Sequence, residues 1–523
     1  MKSIWFQGIA ALALAWGASP CFAADVANPG FEVGSLSGWN VTTDRPGSAV
    51  LVAEARSGSH ALRLASPQAH KTIVSQTIGG LASGQYLLTA MVRNSGGDAT
   101  AYLFAKDCGG TAKMTSIPVS AGWLKVVVRG VRVAAGKCTI GLSAAAGPKQ
   151  VFVLDDVAFA RDDGPTYDFL LGGDVARLSW IESLGAKFFE GGRQRDAMDI
   201  LADNGFNWVR LRPYNDPGNP AFYPSNQMAA GFEDTADTLA TARRAAAKNM
   251  GVQLTLNYSD WWADGCRQDV PHEWVGKSFD EIEEAVYDYS YDIVRRMKDQ
   301  GTPPLSVSLG NQMQCGLLLN PGNYGPITNW PQLARLLNAG AKAVKDASPE
   351  SKVMLHLDSP ASAPAFFDAA VRHGVHFDQI GVSWYPYWEN HHKRPHVDTL
   401  PELLVVLNDL AKTYGRDIVI MEAGVNWTPR GYNGSRGQLQ DTGMVDYPMT
   451  PAGQRDFMYD LINLCKSVDD GRCLGVQYWD PIAVHQLGFG WKVGGGNSDD
   501  NAALFDRDHN VLPALTQAFK YNN

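Results

Sequence analysis

Apolar and polar positions follow two different patterns along this chain. From about residue 25 to 162 the apolar runs are short, alternate with polar residues and are broken by Gly, Ser and Asn, as in Ala61–Leu64, Tyr86–Met91, Trp123–Val128 and Val151–Leu154. A period of two at such short spacing predicts the half-buried strands of an all-β sandwich. Arg161-Asp-Asp-Gly-Pro165 reads as a linker. Beyond it the runs are apolar on both faces: Tyr167–Leu171, Trp208–Leu211, Val252–Leu256, Leu305–Leu309, Val353–Leu357, Gln379–Trp384, Ile418–Met421 and Leu474–Trp479. Parallel strands covered by helices need that character. Helical spacing separates the runs, as over Asp234–Lys248 and Ser278–Lys298, where Ser278 and Glu281 form a capping-box pattern. Eight such alternations in about 350 residues predict a (β/α)8 barrel over residues 166–523, with a doubly wound open sheet as the alternative α/β arrangement.

The first segment stands outside both patterns. Lys2 precedes the apolar run Ile9–Trp16, and small residues follow up to Ala23 and Ala24. Such a run is far short of the ~20 residues that span a bilayer, so residues 1–23 read as a signal peptide, with an anchoring helix as the alternative. Pro20 before Cys21 makes a poor lipoprotein site. The mature chain is therefore expected to be secreted or periplasmic, without a membrane partner. Export makes the six remaining cysteines candidates for disulfides. Proximity pairs Cys465 with Cys473 and Cys108 with Cys138, leaving Cys266 for Cys315; no CxxC spacing suggests zinc.

Composition narrows the function. Among 523 residues, 45 Lys+Arg against 54 Asp+Glu give a net charge of −9 without a basic stripe, which argues against nucleic acid. Fifteen Trp, 18 Tyr and 20 Phe exclude a disordered chain. A barrel carries its chemistry at the C-terminal ends of its strands. Those positions hold Asp174, Arg210, Arg212, Asn257 to Asp260, Asn311, Gln312, His356, Asp358, Trp384, Tyr385, Glu422, Trp479 and Asp480. Trp261, Trp262, Trp388 and Trp427 follow just after these strand ends. Each ring alone reads as core filling, but together they suggest a groove that stacks on the C–H faces of sugars. No cofactor is indicated, because Gly494-Gly-Gly496 lacks the lysine of a phosphate-binding loop. Asp506-Arg-Asp-His-Asn510 lacks the glycine and later glutamate of a calcium loop, and His391-His392 near Glu389 reads as a solvated loop.

Several segments carry family resemblances. Asn28-Pro-Gly-Phe-Glu32, Gly38-Trp39 and Leu154-Asp-Asp-Val157 resemble jelly-roll carbohydrate-binding modules, with a purely structural role as the alternative. In the second region the matching segments run in order: Gly172-Gly-Asp-Val175, Val209-Arg-Leu-Arg212, Asn257-Tyr-Ser-Asp-Trp-Trp-Ala-Asp264, Leu309-Gly-Asn-Gln312 and Leu355-His-Leu-Asp358. Gly381-Val-Ser-Trp-Tyr-Pro386, Ile420-Met-Glu422, Tyr478-Trp-Asp-Pro481 and Asn501-Ala-Ala-Leu-Phe-Asp506 complete the set. Together they resemble glycoside hydrolase family 53, the arabinogalactan endo-β-1,4-galactanases. The resemblance implies retaining hydrolysis of β-1,4-galactan by carboxylates ending barrel strands 4 and 7. Glu422 matches the nucleophile, with Tyr385 orienting it, and Asn311 matches a ligand of the sugar 2-hydroxyl. The acid/base position departs from the family, because Gln312 stands where glutamate is usual. Three readings stay open: a size-conserving exchange that traps substrate, a proton delivered through water by Asp260, Asp358 or Asp480, or a chain that binds galactan with impaired turnover. Asp480 also replaces a usual glutamate. Asp174, Arg212, Asp260, His356, Asp358, Trp384 and Asp480 are candidates for binding substrate or fixing Glu422, and Trp427 and Trp479 for stacking. Some family members carry structural calcium, for which Asp499 or Asp500 are candidates, with no metal expected in catalysis. Another retaining β-glycanase of the same barrel clan is the alternative enzyme, and a monomer is expected.

Overall fold

The computed structural model describes residues 25–97, 100–162, 169–218, 228–319, 327–391, 396–432 and 437–522. The expected signal peptide, Tyr167, His392 and residues 163–165 of the expected linker lie outside them; Arg161 still belongs to a strand.

Ten strands form two five-stranded sheets. One orders β1 (Asn40–Thr43), β4 (His70–Gly79), β9 (Lys137–Ala146), β6 (Thr100–Lys106) and β7 (Lys113–Ser116). The other orders β2 (Ala49–Val52), β3 (Ala61–Ala65), β10 (Val151–Arg161), β5 (Gly84–Asn94) and β8 (Ser120–Val133). Strict alternation along β4 and β5 sends Val74, Leu88 and Val92 into a core shared with Trp39, Ile140 and Phe159. Two faces of period-two strands bury their apolar residues against each other in this way.

Eight parallel strands then close a barrel: β11 (Leu170–Asp174), β14 (Trp208–Leu211), β15 (Gly251–Thr255), β16 (Ser306–Ser308), β17 (Lys352–Leu357), β18 (Gln379–Ser383), β19 (Asp417–Ala423) and β20 (Cys473–Tyr478). A short hairpin of β12 (Phe188–Glu190) and β13 (Arg193–Arg195) lies between the first two. Because β11 pairs with both β14 and β20, the sheet has no edge, which excludes the open doubly wound arrangement. The strand residues are almost all buried, as strands lined on both faces must be. Gly172 allows a close approach here, since an added Cβ would come within 2.2 Å of the Trp208 carbonyl oxygen.

Ser278 starts the helix Phe279–Asp299: its hydroxyl accepts from the Glu281 N–H at 3.4 Å, and the Glu281 carboxylate accepts from the Ser278 N–H at 2.7 Å. Disulfides join Cys108 to Cys138, Cys266 to Cys315 and Cys465 to Cys473. The second ties the loop after β15 to the loop after β16. The two regions meet across polar contacts: Arg129 on β8 donates to the carbonyls of Lys466 at 2.9 Å and Val468 at 3.3 Å, and Asn463 donates to that of Lys125 at 3.0 Å. No helix among the described residues is long and apolar enough to cross a membrane.

Candidate active site

A cleft of about 630 Å³ opens at the C-terminal ends of the barrel strands. Glu422, near the end of β19, lies in it and is only 3 % exposed. Three donors converge on its carboxylate. Arg210 Nη1 donates to Oε1 at 2.5 Å, and Tyr385 Oη and Gln312 Nε2 each donate to Oε2 at 3.1 Å. Arg210 also donates from Nη2 to Asn311 Oδ1 at 2.6 Å, so one guanidinium fixes both residues. The Tyr385 hydroxyl is pushed well above its ordinary pKa by burial and by Glu422, and so remains a donor.

Gln312 adopts φ +48°, a left-handed conformation costing a non-glycine residue about 1 kcal/mol or more. The loop after β15 braces it. The Gly265 N–H donates to Gln312 Oε1 at 3.3 Å, Gln268 Nε2 donates to the carbonyl of Asn311 at 2.6 Å, and Asn311 Nδ2 donates to the carbonyl of Ala263 at 2.7 Å. Gln312 Nε2 also donates to Ser383 Oγ at 3.0 Å. Beneath that hydroxyl, His356 Nε2 lies 2.9 Å away, and burial with the nearby Arg210 charge lowers its pKa well below the ordinary value. His356 is thus a neutral support under the cleft.

A buried ion network backs the site. Arg212 pairs with Asp174 at 2.5 Å and Glu233 at 3.3 Å, while Arg177 pairs with Asp480 and, at 3.1 Å, with Asp499. With Arg210 and Glu422, three guanidinium groups meet five carboxyls, an excess of acid that burial resists. Burial, opposed by Arg212 and Arg177, accordingly raises Glu233 to about 7. It also raises Asp480 to about 6 against the pull of Arg177. The Arg212 guanidinium lies against two neighbouring rings, 4.8 Å from the centroid of Trp262 and 4.9 Å from that of Trp479, within cation–π range of both.

The structure brings together most, not all, of the residues singled out from sequence. Glu422, Gln312, Asn311, Asp358, Tyr385 and Trp479 line the cleft; Asp174, Arg212, His356 and Asp480 lie behind it. Asp260 is displaced from the lining: its carboxylate accepts from the His272 N–H at 2.8 Å and the Asp216 N–H at 3.0 Å, tying two loops together. Trp384 is fully buried, stacked on Phe457 and bonded through Nε1 to the Val397 carbonyl at 3.0 Å. Trp427 donates to the Asp500 carbonyl at 3.3 Å and is absent from the lining. The cleft's other indoles are Trp262, Trp388 and Trp491. His391 ends a short helix (Pro386–His391) where a loop was expected. Asp264, Arg267, Gln438, Ser498 and Asp499 complete the polar wall; of these, only Asp499 is a candidate from sequence, for calcium. Asp506 accepts from the N–H groups of Asp508 at 2.9 Å and Asn510 at 2.8 Å, an internal turn that occupies its carboxylate. Among the described residues no group of three His, Cys, Asp or Glu side chains is arranged to hold a metal.

A carboxylate pinned at a strand end beside an amide, ringed by indoles at the mouth of a (β/α)8 barrel, defines a sugar-cleaving class of site. Residues 170–518 match the family model of glycosyl hydrolase family 53, and the chain belongs to that family. An endo-β-1,4-galactanase of Bacillus subtilis (strain 168) is 27% identical over 403 residues, spanning 70% of this chain and 89% of that protein. An arabinogalactan endo-β-1,4-galactanase of Cellvibrio japonicus (strain Ueda107) is 30% identical over 359 residues, spanning 66% and 89%. The solved catalytic domain of this family from Ignisphaera aggregans is 33% identical with TM-score 0.62, covering 68% of this chain and 97% of that one.

Proposed function

We propose that this chain is an endo-acting, retaining β-1,4-galactanase that cleaves (arabino)galactan side chains of pectin through a galactosyl ester on Glu422. The observation that carries the reading is the direct contact between the residues ending the fourth and seventh barrel strands. Gln312 Nε2 lies 3.1 Å from Glu422 Oε2. Inversion needs about 6.5 to 9.5 Å between the two groups to seat a water, whereas retention brings them to about 5 to 5.5 Å. Those ranges are separations of carboxyl groups; a direct hydrogen bond between the side chains at these two positions leaves no room for an intervening water, which supports attack by Glu422 itself. Arg210 and Tyr385 bond its carboxylate, and Asn311, held by the same arginine, lines the cleft with it, which supports a role for Asn311 at the sugar 2-hydroxyl. Trp479 supports sugar binding twice over, since its ring faces the cleft and its buried Nε1–H has no hydrogen-bond partner among the described residues. The reading extends to an exported, monomeric protein whose N-terminal sheets bind carbohydrate, in keeping with the leader-like first segment and the module-like motifs. The domains then divide as a leader 1–23, a β-sandwich 25–162 and a barrel 166–523.

Gln312 supports one competing reading, a galactan-binding protein with impaired turnover, because an amide cannot donate the catalytic proton. Release of reducing ends from β-1,4-galactan, with Glu422→Ala run in parallel, tests the first reading. Labelling by an activated 2-fluoro-galactoside tests the nucleophile. Loss of turnover in Glu422→Ala and a mass-spectrometric adduct on Glu422 are expected. Absence of the adduct despite measurable ligand binding would refute the nucleophile.

A further inference from the structure

We infer that Asp264 is the catalytic proton donor in this chain, replacing the carboxyl that position 312 lacks. The inference rests on the galactanase reading and names the group that reading leaves open. Among the described residues four carboxyl side chains line the cleft: Asp264, Asp358, Glu422 and Asp499. Glu422 attacks the sugar. Asp499 is buried against Arg177 at 3.1 Å, its side chain only 7 % exposed, whereas the Asp264 side chain, beside Arg267, is 43 % exposed. Asp260 and Asp480 lie outside the cleft lining. Asp264 and Asp358 therefore remain.

The chain places Asp264 against the acid position. The next residue, Gly265, donates its N–H to Gln312 Oε1 at 3.3 Å, and the one after it, Cys266, is bonded to Cys315 three residues beyond Gln312. Gln268 closes the same seam on the carbonyls of Asn311 at 2.6 Å and Gln312 at 3.4 Å. Asp264 thus lines the same stretch of cleft wall as Gln312, the position from which the usual acid of the family would reach the departing oxygen. Burial holds Asp264 above its ordinary pKa, with Arg267 pulling it down, Glu422 pushing it up, and lesser opposing effects of Arg212 and Asp269. Arg267 Nη2, 3.3 Å from Asp264 Oδ1, is placed to receive the carboxylate left after donation.

The step balances without a co-reactant. As Glu422 forms a C1–O bond, the C1–O bond to the leaving sugar breaks, its electron pair passes to that oxygen, and the Asp264 proton joins it to give a free 4-hydroxyl. In the second half, water loses a proton to Asp264 and attacks C1, releasing Glu422.

The test compares the unmodified chain, Asp264→Asn and Asp358→Asn on β-1,4-galactan and on a 2,4-dinitrophenyl β-galactobioside, whose leaving group needs no proton. For Asp264→Asn we expect kcat/KM to fall by about 10²-fold or more on galactan but by less than about threefold on the aryl substrate. Affinity for galactotetraose should be unchanged, and the acid-to-base limb of the pH profile should disappear. In Asp264→Ala, azide should raise kcat and yield a β-galactosyl azide. Adding Asp264→Asn to Gln312→Glu should cost much less than in the unmodified chain, because the acid is then supplied at 312. Equal losses on both substrates, no loss on either, a leaving-group-dependent loss in Asp358→Asn instead, or no galactan turnover by the unmodified chain would each overturn the inference. The first three results leave the galactanase reading intact while the Glu422 adduct forms; absence of galactan turnover by the unmodified chain would instead favour the galactan-binding reading.

Discussion

Gln312→Glu restores a carboxyl where the fold holds an amide, and its consequence follows from one distance. The replaced nitrogen lies 3.1 Å from Glu422 Oε2 and 3.0 Å from Ser383 Oγ, while Oε1 accepts from Gly265 at 3.3 Å. The new side chain is nearly isosteric, so the Gly265 bond should persist and the oxygen replacing Nε2 should point at Glu422. Two ionised carboxylates at that separation repel by about 5 kcal/mol at an effective dielectric of about 20, roughly four pH units. Arg210 at 2.5 Å from Glu422 offsets part of this repulsion. A residual rise of about two units leaves the new carboxyl protonated near pH 6, the condition an acid catalyst needs. Galactan turnover should rise by about 10²- to 10⁴-fold if no other acid is present, and by less if Asp264 already donates. The assay is reducing-end release against pH, with the dinitrophenyl galactobioside as control. The aryl substrate should gain little in kcat/KM, and the galactan profile should acquire an acid limb set by the new group. An unchanged galactan rate, or an equal gain on both substrates, would refute this account of the fourth strand.

Two other perturbations probe the buried charges. Arg210→Lys keeps one charge but cannot reach Glu422 and Asn311 at once, so labelling of Glu422 by an activated galactoside should slow by about 10²-fold with the fold intact by circular dichroism. Glu233, raised by burial from 4.5 to about 7, binds its proton more tightly folded than unfolded; its contribution is full below pH 4.5 and is lost as pH rises toward 7. Glu233→Gln should therefore flatten the decline in stability between pH 5 and 8 by at most about 3 kcal/mol, measured by chemical denaturation. A steeper decline in the variant would contradict the assignment.

Much of this protein is written locally. The run Trp208–Leu211 is strand β14 to the residue, because a strand enclosed by helices has no polar face to interrupt its apolar pattern. The Ser278–Glu281 box marks a helix start because capping depends only on neighbours. Gln312 stands out as a departure from the family's usual glutamate because the residues before it, Leu309-Gly-Asn311, carry the family pattern. Strand alternation also held a signal that the reading of Trp384 overlooked. Ser383 and Tyr385 point into the barrel mouth, so the residue between them must point outward, where Trp384 meets Phe457. Trp388 follows Tyr385 by three residues within a helical turn and returns to the cleft.

The remainder needed the closed barrel. Glu233 and Arg177 fit no motif, yet they join the excess of carboxyls whose shared burial raises Glu233 and Asp480. Asp260 and Asp264 stand four residues apart after the same strand, but one fastens loops while the other lines the cleft. Sequence supplied both carboxyls; the course of the loop, clamped by Cys266–Cys315, decided which one lines the cleft. Strand identity is legible because burial imposes a local period. The ionisation and aim of a side chain are not, because electrostatic fields and loop closure sum over residues hundreds of positions apart.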